Sequence, residues 1–409
     1  MTRTLFAGGL VFDPASGEVA GADVVVEDGL VVDVGPGLDG DASVDCTGQT
    51  LLPGLFDCHV HTTISTIDLL ADLATPFSYQ FFQAEQNLAA TLAAGITTVR
   101  DLGGADLGVK QAVDDGLVRG PRMQIAITML SQTGGHGDRW SVCGGEIPQS
   151  FGLVHPGKPA SVVDGPDAVR QRVRELIRAG ADVIKVATSG GVLSARDDPR
   201  HAHFADDELA IIVAEATRAN RPVAAHAQAA DGIKAALRAG FRSIEHGIYL
   251  DDEAIQLLLD RGAWLVPTLL APVSVLEAAE AGARMPAVYV EKCAMVLEHH
   301  RDSITRAVGA GVQVAMGTDS GVGPHGTNLR ELALLAECGL SPAAALQTAT
   351  TSAARLLRVD DELGAIEPGK RADLVVVDGD PFDLKTLPDH IVAVWKDGEL
   401  AHERRNDQP

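Results

Sequence analysis

The sequence has few basic residues and no apolar stretch long enough to span a membrane. It contains 33 lysines and arginines against 56 aspartates and glutamates in 409 residues, a formal net charge of −23. A surface with this charge repels nucleic-acid phosphates and anionic lipid headgroups. A transmembrane helix needs about 20 predominantly apolar residues in a row, and the chain has no such run. The composition therefore argues against nucleic acid and membranes as partners, and we expect a small-molecule substrate.

Cysteine is also scarce, and the five cysteines are scattered without any C-x-x-C spacing. This pattern fits free thiols in a reducing compartment, so we expect a cytoplasmic protein. The N-terminal segment, residues 1–12, contains a glycine pair and leads into a turn-like Asp13-Pro14 rather than a cleavage site, which favours a strand over a signal peptide. The cysteines are Cys46, Cys58, Cys143, Cys293 and Cys338.

Short β-branched runs occupy both ends of the chain, and a different pattern lies between them. Residues 4–52 and the segment from Asp373 onward alternate strand-like runs with turn residues. We therefore predict a small β-sandwich module formed by both termini, residues 1–52 and 359–409. Residues 53–358 alternate apolar runs with helical patterns, which is typical of repeated βα units and a parallel sheet.

Eight strand-like segments can be counted in this central part. Eight strands with intervening helices predict a (β/α)8 TIM barrel, an α/β fold that suits a chain of this length with an added module. Enzymes built on this barrel carry their chemistry at the C-terminal ends of the strands. The eight segments are 55–61, 97–102, 122–127, 181–187, 222–226, 243–246, 264–268 and 312–319.

Four histidines and one aspartate lie at the downstream ends of these segments. His59 and His61 are two residues apart on the first strand, so both imidazoles point to one face. His226 and His246 end the fifth and sixth strands, and Asp319 ends the eighth. Alone, each could be structural, since buried histidines are often hydrogen-bonded core residues and an aspartate before Ser-Gly is often a turn residue. Together they favour a metal site, and neutral imidazole suits zinc, nickel, copper or iron.

Lys185 is the most informative single residue, because it lies in the middle of the apolar run 181–187. A buried ammonium is costly unless something neutralises it. An unmodified lysine would need a lowered pKa, a carboxylate partner or a path to solvent, and a Schiff-base lysine is a real alternative. A Schiff-base mechanism would give the neighbouring histidines no catalytic role. Capture of carbon dioxide by the neutral amine would instead give a carbamate with one oxygen for each of two metals.

With its flanking motifs, this pattern resembles the amidohydrolase superfamily with a binuclear metal centre. The resemblance covers essentially the whole chain and includes residues 53–61, 317–320 and 364–375. It implies two divalent ions, with zinc the expected metal. Two such ions lower the pKa of a bridging water, and Asp319 would be the catalytic acid and base. The implied ligands are His59, His61 and Asp319 on one ion, His226 and His246 on the other, and carboxylated Lys185, which bridges both together with a hydroxide.

The loop 131–139 and the segment 245–249 are similar to those of the dipeptidase branch of the superfamily, including Xaa-Pro dipeptidases. We therefore expect hydrolysis of a dipeptide whose free C-terminal carboxylate is held above the metals. His136, in a glycine-rich loop that can approach a ligand closely, and Tyr249, three residues after His246, are the preferred contacts. Each candidate could equally be a surface or loop-stapling side chain. The candidates are His136, Arg139, Arg196, Tyr249 and His325.

Other functions stay open on the sequence alone. Hydrolysis of N-acyl amino acids, cyclic amides such as imidazolones, carbamates or lactones needs the same centre or a close variant. Imidazolone-type relatives generally work with one metal and lack the bridging lysine, so Lys185 counts against them. A non-catalytic scaffold of the same fold would be expected to have lost ligands, whereas all six positions are filled. We also expect a homo-oligomer.

Overall fold

The structure is a computed structural model that describes residues 2–68, 71, 74–140 and 155–404. Its strands are β1 (Thr4–Ala7), β2 (Leu10–Asp13), β3 (Glu18–Gly21), β4 (Asp23–Glu27), β5 (Leu30–Gly35), β6 (Ala42–Asp45), β7 (Gln49–Pro53), β8 (Leu55–Val60), β9 (Ile96–Asp101), β10 (Arg122–Ile125), β11 (Met129–Leu130), β12 (Ile184–Ala187), β13 (Val223–Ala227), β14 (Ser243–His246), β15 (Trp264–Val266), β16 (Gln313–Val314), β17 (Leu374–Asp378), β18 (Ile391–Lys396) and β19 (Glu399–Glu403).

The helices alternate with the central strands and continue after them. They are α1 (Tyr79–Ala93), α2 (Leu107–Asp114), α3 (Pro166–Arg178), α4 (Asp206–Arg218), α5 (Ala230–Ala239), α6 (Asp252–Arg261), α7 (Leu270–Glu280), α8 (Ala287–Gly309), α9 (Arg330–Glu337), α10 (Pro342–Thr348) and α11 (Thr351–Leu357), with a 3₁₀ turn at Leu387–His390. Among the helices described, none is both long and apolar enough to cross a bilayer.

Strands from the two ends of the chain pair in one sheet, whose order is β19-β18-β17-β7-β2-β3. Within it, β7 runs antiparallel to β17, with Leu52 opposite Val375. A second sheet, β5-β4-β1-β6, contributes Phe6 and Val24 to a buried cluster that also contains Leu51 of β7. The two ends thus share a hydrophobic core, and they pair as their similar sequence patterns predict.

The central strands are all parallel and form two sheets, β10-β9-β8 and β11-β12-β13-β14-β15-β16. Every residue of β8, β9, β12, β13, β14 and β15 is buried. Strands covered on both faces read as continuous apolar runs rather than alternating ones, which is why the sequence pattern identified them. The fold is a mixed α/β fold with helices between the parallel strands.

Backbone hydrogen bonds also connect the two parallel sheets at both of their edges. Asp182 N donates to Ile125 O at 2.8 Å, which joins β10 to the segment before β12. Cys58 N donates to Met316 O at 2.9 Å and Asp319 N donates to His59 O at 2.7 Å, which joins β8 to the segment after β16. These bonds bring the C-terminal ends of strands from both sheets around one central space.

Two predicted strands are shorter than the sequence suggests. The predicted strand 122–127 ends at Ile125, because Ile127 has a φ of 68° that interrupts the extended backbone, and the separate strand β11 follows. The predicted strand 312–319 is regular only at 313–314, and Asp319 at its end has a φ of 59°. In both cases the irregular backbone lies where the strand reaches the central space.

The helix α3 shows how sequence fixes a helix here. Pro166 takes the first position, where its missing N–H costs nothing, and the buried face consists of Val169, Val173 and Leu176. Arg178 in the last turn complements the helix dipole. The four described cysteines form no disulfide, and all are buried; Cys143 lies outside the described residues.

Candidate metal centre

The two histidines of the H-x-H motif and Asp319 converge on one point. Their ligand atoms all lie within 4.8 Å of one another. The Nε2 atoms of His59 and His61 lie 3.4 Å and 3.1 Å from Oδ1 of Asp319. Burial would raise the pKa of Asp319, but the imidazoles of His59 and His61 hold it well below its usual range, so it is a carboxylate. Two imidazole nitrogens and one carboxylate form a donor set that suits a divalent transition metal.

Hydrogen bonds at Nδ1 fix the orientation of both imidazoles. His59 Nδ1 lies 2.9 Å from a carboxylate oxygen of Glu245, and His61 Nδ1 lies 2.6 Å from Gly103 O. Because both partners only accept, each Nδ1 donates a proton to its partner, and each Nε2 is directed at Asp319 and the centre of the cluster. Burial lowers the pKa of His59 to about 4, so its imidazole is neutral. This is the state that a metal ligand requires.

Glu245 belongs to a buried ion pair that sequence reasoning missed. Arg100 Nη2 donates to Glu245 Oε1 at 2.8 Å, while Arg100 Nε donates to Cys58 O at 2.7 Å. Burial would raise the pKa of Glu245, but the charge of Arg100 lowers it to about 2. The charged pair holds the His59 ring through Glu245. The sequence signal was available, since Arg100 is a charged residue that follows the run Ile96-Thr97-Thr98-Val99 within a strand-like segment.

A second buried carboxylate, Asp57, anchors the loop that carries Asp319. Asp57 Oδ2 accepts from Thr318 Oγ1 at 2.6 Å and from Asn328 Nδ2 at 2.7 Å, and Oδ1 accepts from the backbone N of His59 at 3.1 Å. Burial raises the pKa of Asp57 to about 6. The left-handed backbone at Asp319 is a conformation that an aspartate adopts at a cost, and this network holds it.

His226 and His246 lie beside the first cluster. The ring centroid of His246 is 4.6 Å from that of His226 and 5.1 Å from that of His59. His246 Nδ1 lies 2.7 Å from Thr268 Oγ1, and His226 Nε2 lies 3.2 Å from Gly190 O. Burial lowers the pKa of both imidazoles well below the usual value, so both are neutral. The structure therefore brings all four sequence-predicted histidines together.

Lys185 is buried in β12, with 1% of its surface exposed. Its Nζ has no hydrogen-bond partner among the described residues. Burial lowers its pKa to about 8, and the nearby charges of Glu245 and Asp319 only partly offset this effect. An unpaired buried amine is unfavourable in the bare protein. A modified amine or a bound metal would satisfy it, and the donor set around it therefore fits the metal centre that the sequence predicts.

His136 is the sequence-predicted substrate contact that reaches the site. Its ring stacks on that of His226 at 4.1 Å, with an interplanar angle of 12°. Its Nδ1 lies 3.1 Å from Oδ2 of Asp197, which also accepts from Gly191 N at 3.0 Å and, through Oδ1, from Lys292 Nζ at 3.2 Å. A Cβ on Gly191 would lie 2.4 Å from the His136 ring, so only glycine allows this approach.

Four of the five predicted substrate contacts lie elsewhere. His136 lines the cavity, whereas Tyr249, Arg196, His325 and Arg139 are not among the described residues that line it. The Tyr249 ring packs on a histidine of α8 at 5.3 Å, and the Arg196 guanidinium lies 5.1 Å over a tryptophan ring. His325 Nε2 bonds a backbone oxygen at 3.0 Å and holds a loop. Tyr249, Arg196 and His325 thus lie in loops after strands, as predicted, but their side chains contact neighbouring elements.

One cavity joins these groups, and much of its wall is apolar. Gln228, two residues after His226, also lines it, and its Oε1 is buried without a partner among the described residues. Such an atom is available to a bound molecule. The apolar lining residues include Ile64, Met129, Val192, Leu193, Ile248, Pro272, Val275, Tyr289, Cys293 and Val296.

His59, His61 and Asp319 form a donor set that a metal ion could occupy, and the other two histidines and Lys185 lie in the same cavity. The sequence model of the amidohydrolase family matches residues 50–402. The chain belongs to the amidohydrolase family, and it is a hydrolytic enzyme.

Individual relatives match over nearly the full chain. Ochratoxinase from Aspergillus niger is 34% identical over 419 aligned positions, which cover 97% of this chain and 86% of that protein. A solved Xaa-Pro dipeptidase with bound methionine superposes with a TM-score of 0.89 at 33% identity, covering 98% of this chain and all of the other. A prolidase complexed with N-methylphosphonate-L-proline gives a TM-score of 0.90 at 37% identity, covering 99% and 100%.

Proposed function

We propose that this enzyme hydrolyses the amide bond of a dipeptide with a free C-terminal carboxylate, of the Xaa-Pro or a similar type. The observation that carries the proposal is His136. It is held by Asp197 directly beside His226, so that its free edge is available to a substrate anion next to the ligand cluster. The similarity to a Xaa-Pro dipeptidase and to a prolidase over nearly the whole chain supports the same substrate class.

The proposal includes the architecture predicted from the sequence. The two parallel sheets, joined by hydrogen bonds at both edges, would form a (β/α)8 barrel over residues 53–358. Residues 1–52 and 359–409 would form the β-sandwich module. A homo-oligomeric state and a cytoplasmic location stay predictions.

We assign two divalent metal ions, with zinc expected, to the ligand cluster. His59, His61 and Asp319 would hold one, and His226 and His246 the other. When bound, such ions polarise a carbonyl oxygen and make a water molecule more acidic. Lys185 would bridge them as a carbamate: its Nζ forms a bond to the carbon of carbon dioxide and loses a proton. The product replaces an unpaired buried amine by a ligand with two oxygens.

Asp319 would move the proton. A carboxylate accepts a proton from the attacking water and returns it to the departing amine nitrogen, which completes the cleavage without a net change in the enzyme. Its position beside His59 and His61 suits this role, because it places the carboxylate within the ligand cluster. The backbone network through Asp57 would keep the carboxylate fixed while the substrate reacts.

A second candidate is hydrolysis of an N-acyl amino acid. The apolar wall of the cavity favours it, because an acyl group without an ammonium would fit there at no charge-burial cost. Similarity to ochratoxinase is compatible with a hydrolase other than a dipeptidase. Cyclic amides, carbamates and lactones have no comparable observation in their favour.

The test compares free and blocked substrates on the zinc-loaded enzyme. Ala-Pro should be cleaved with release of proline, whereas Ala-Pro amide should be cleaved at a much lower kcat/KM because His136 has no carboxylate to bind. Equal rates on both would contradict the carboxylate contact. Cleavage of N-acetyl-Pro much faster than Ala-Pro would favour the second candidate.

A further inference from the structure

One face of α8 forms part of the cavity wall. Tyr289, Cys293 and Val296 follow one another at four and three residues, which places them on one side of a helix. All three line the cavity, together with Val275 of α7 and Leu193 of the loop after β12. We call these five residues the apolar wall.

The apolar wall carries no charged group. Three of its side chains are aliphatic, and the polar atoms that remain are the Tyr289 hydroxyl and the Cys293 thiol. Burial raises the pKa of Cys293 to about 12, so its sulfur is an uncharged thiol. A charged ligand group placed here would lose its hydration without gaining a partner. An apolar group would instead bury its surface against apolar side chains.

The position of the apolar wall relative to the metal cluster identifies which part of a substrate reaches it. His300 continues the same face of α8, and its Nε2 lies 2.9 Å from both His246 O and Pro267 O. The Val296 end of the wall therefore adjoins the His246 side of the cluster, whereas Leu193, two residues after Gly191, lies nearer to His136. His136, the proposed carboxylate contact, stacks instead on His226. A substrate held by its carboxylate at His136 projects the other side of its scissile amide past Leu193 and Cys293 toward the Val296 end of the wall.

We propose that the apolar wall binds the side chain on the acyl side of the scissile amide and makes the enzyme selective for large apolar residues there. The inference rests on the proposed dipeptidase function and adds the identity of the first residue. Within an Xaa-Pro series it ranks Leu-Pro and Phe-Pro above Ala-Pro and Gly-Pro, and it ranks Glu-Pro and Lys-Pro last. Each added apolar group in such a pocket is worth about tenfold or more in kcat/KM.

The experiment measures kcat/KM for this series with the zinc-loaded wild type and two variants of α8. Cys293→Phe places a phenyl ring in the part of the cavity beside the apolar wall. Met295→Phe is the control, because it adds the same ring two residues away at a position that is 40% exposed. Cys293→Phe should lower kcat/KM for Leu-Pro and Phe-Pro about tenfold or more while Ala-Pro changes less than about twofold. Met295→Phe should leave the whole profile unchanged. Val296→Ala instead enlarges the space beside the apolar wall, and it should raise the ratio of kcat/KM for Phe-Pro to kcat/KM for Leu-Pro.

The outcomes separate this inference from the function on which it rests. Equal kcat/KM from Gly-Pro to Phe-Pro, or equal losses on all substrates in a folded Cys293→Phe, would overturn the assignment of the wall and keep the dipeptidase. Should Cys293→Phe fail to fold, an unchanged Phe-Pro to Leu-Pro ratio in Val296→Ala would overturn it in the same way. Absence of cleavage of every dipeptide by the zinc-loaded wild type would overturn both.

Discussion

Replacement of Asp197 by asparagine tests how the substrate carboxylate is held. Asp197 is a buried carboxylate that accepts from His136 Nδ1 at 3.1 Å, from Gly191 N at 3.0 Å and from Lys292 Nζ at 3.2 Å. Asparagine has nearly the same shape, but it has no charge, and one of its two acceptor positions becomes a donor. Both His136 Nδ1 and Gly191 N donate to Oδ2, so an NH₂ group in that position would turn both hydrogen bonds into repulsive donor–donor contacts. The variant should therefore release the His136 ring from its fixed position.

The size of the effect follows from the bonds lost. A hydrogen bond to a charged group contributes about 1.5–3 kcal/mol, which corresponds to roughly 10- to 100-fold in affinity. Because the metal cluster is untouched, this loss should appear mainly as a higher KM for Xaa-Pro dipeptides, with kcat within about threefold of wild type. Steady-state kinetics on the zinc-loaded variant would measure both constants. On Ala-Pro amide the variant should differ little from wild type, since the contact is already missing.

Asp198→Asn provides the matched control. Asp198 is the next residue and pairs with Arg200 through Oδ2 at 2.6 Å, away from His136. Its replacement should leave KM for Ala-Pro within about twofold of wild type. An unchanged KM in Asp197→Asn, or an equal loss on free and amidated dipeptides, would refute the role assigned to His136 and its carboxylate partner.

Three further changes test other parts of the site. Asp319→Asn should lower kcat by roughly 10²- to 10⁴-fold with metal content largely retained in elemental analysis; near-wild-type turnover would remove Asp319 from proton transfer. Arg100→Met should leave the Glu245 carboxylate buried without its cation and cost about 3–5 kcal/mol in denaturant unfolding of the metal-free protein; unchanged stability would show that the pair is not structurally important. Removal of metal by a chelator should abolish dipeptide hydrolysis, and zinc with bicarbonate should restore more activity than zinc in carbon dioxide-free buffer; full activity after complete chelation would exclude a metal-dependent reaction.

The ligand cluster was accessible to sequence reasoning because most of its members stand at or near the downstream end of a short, mainly apolar run. Buried parallel strands produce such runs, and the functional residue stands at the end where the run stops. His226 shows this directly, since it follows Val223-Ala224-Ala225 on a strand with every residue buried. Lys185 was recognisable for the opposite reason, as a charged residue in the middle of such a run.

The supporting and specificity-determining residues were harder to find. Asp57, Arg100 and Glu245 act through side-chain contacts between strands far apart in sequence, and no local pattern encodes these pairs. Asp197 and Lys292 meet across a loop and a helix. Tyr249 is a residue that the sequence pattern wrongly suggested as a cavity-lining contact. Its position after a ligand strand suggested a substrate contact, but its ring packs on α8. Strand ends can be predicted from periodicity, whereas the direction of a loop side chain depends on tertiary packing.

Crystallography of the enzyme loaded with zinc in bicarbonate buffer tests the central assignment most directly. Anomalous scattering at the zinc edge should show two peaks about 3.5–4 Å apart, one at His59, His61 and Asp319 and the other at His226 and His246. Electron density should extend beyond Lys185 Nζ as a planar carboxyl group between them. A bare Lys185 amine in crystals of demonstrably active enzyme, with a single zinc peak or none, would contradict the account.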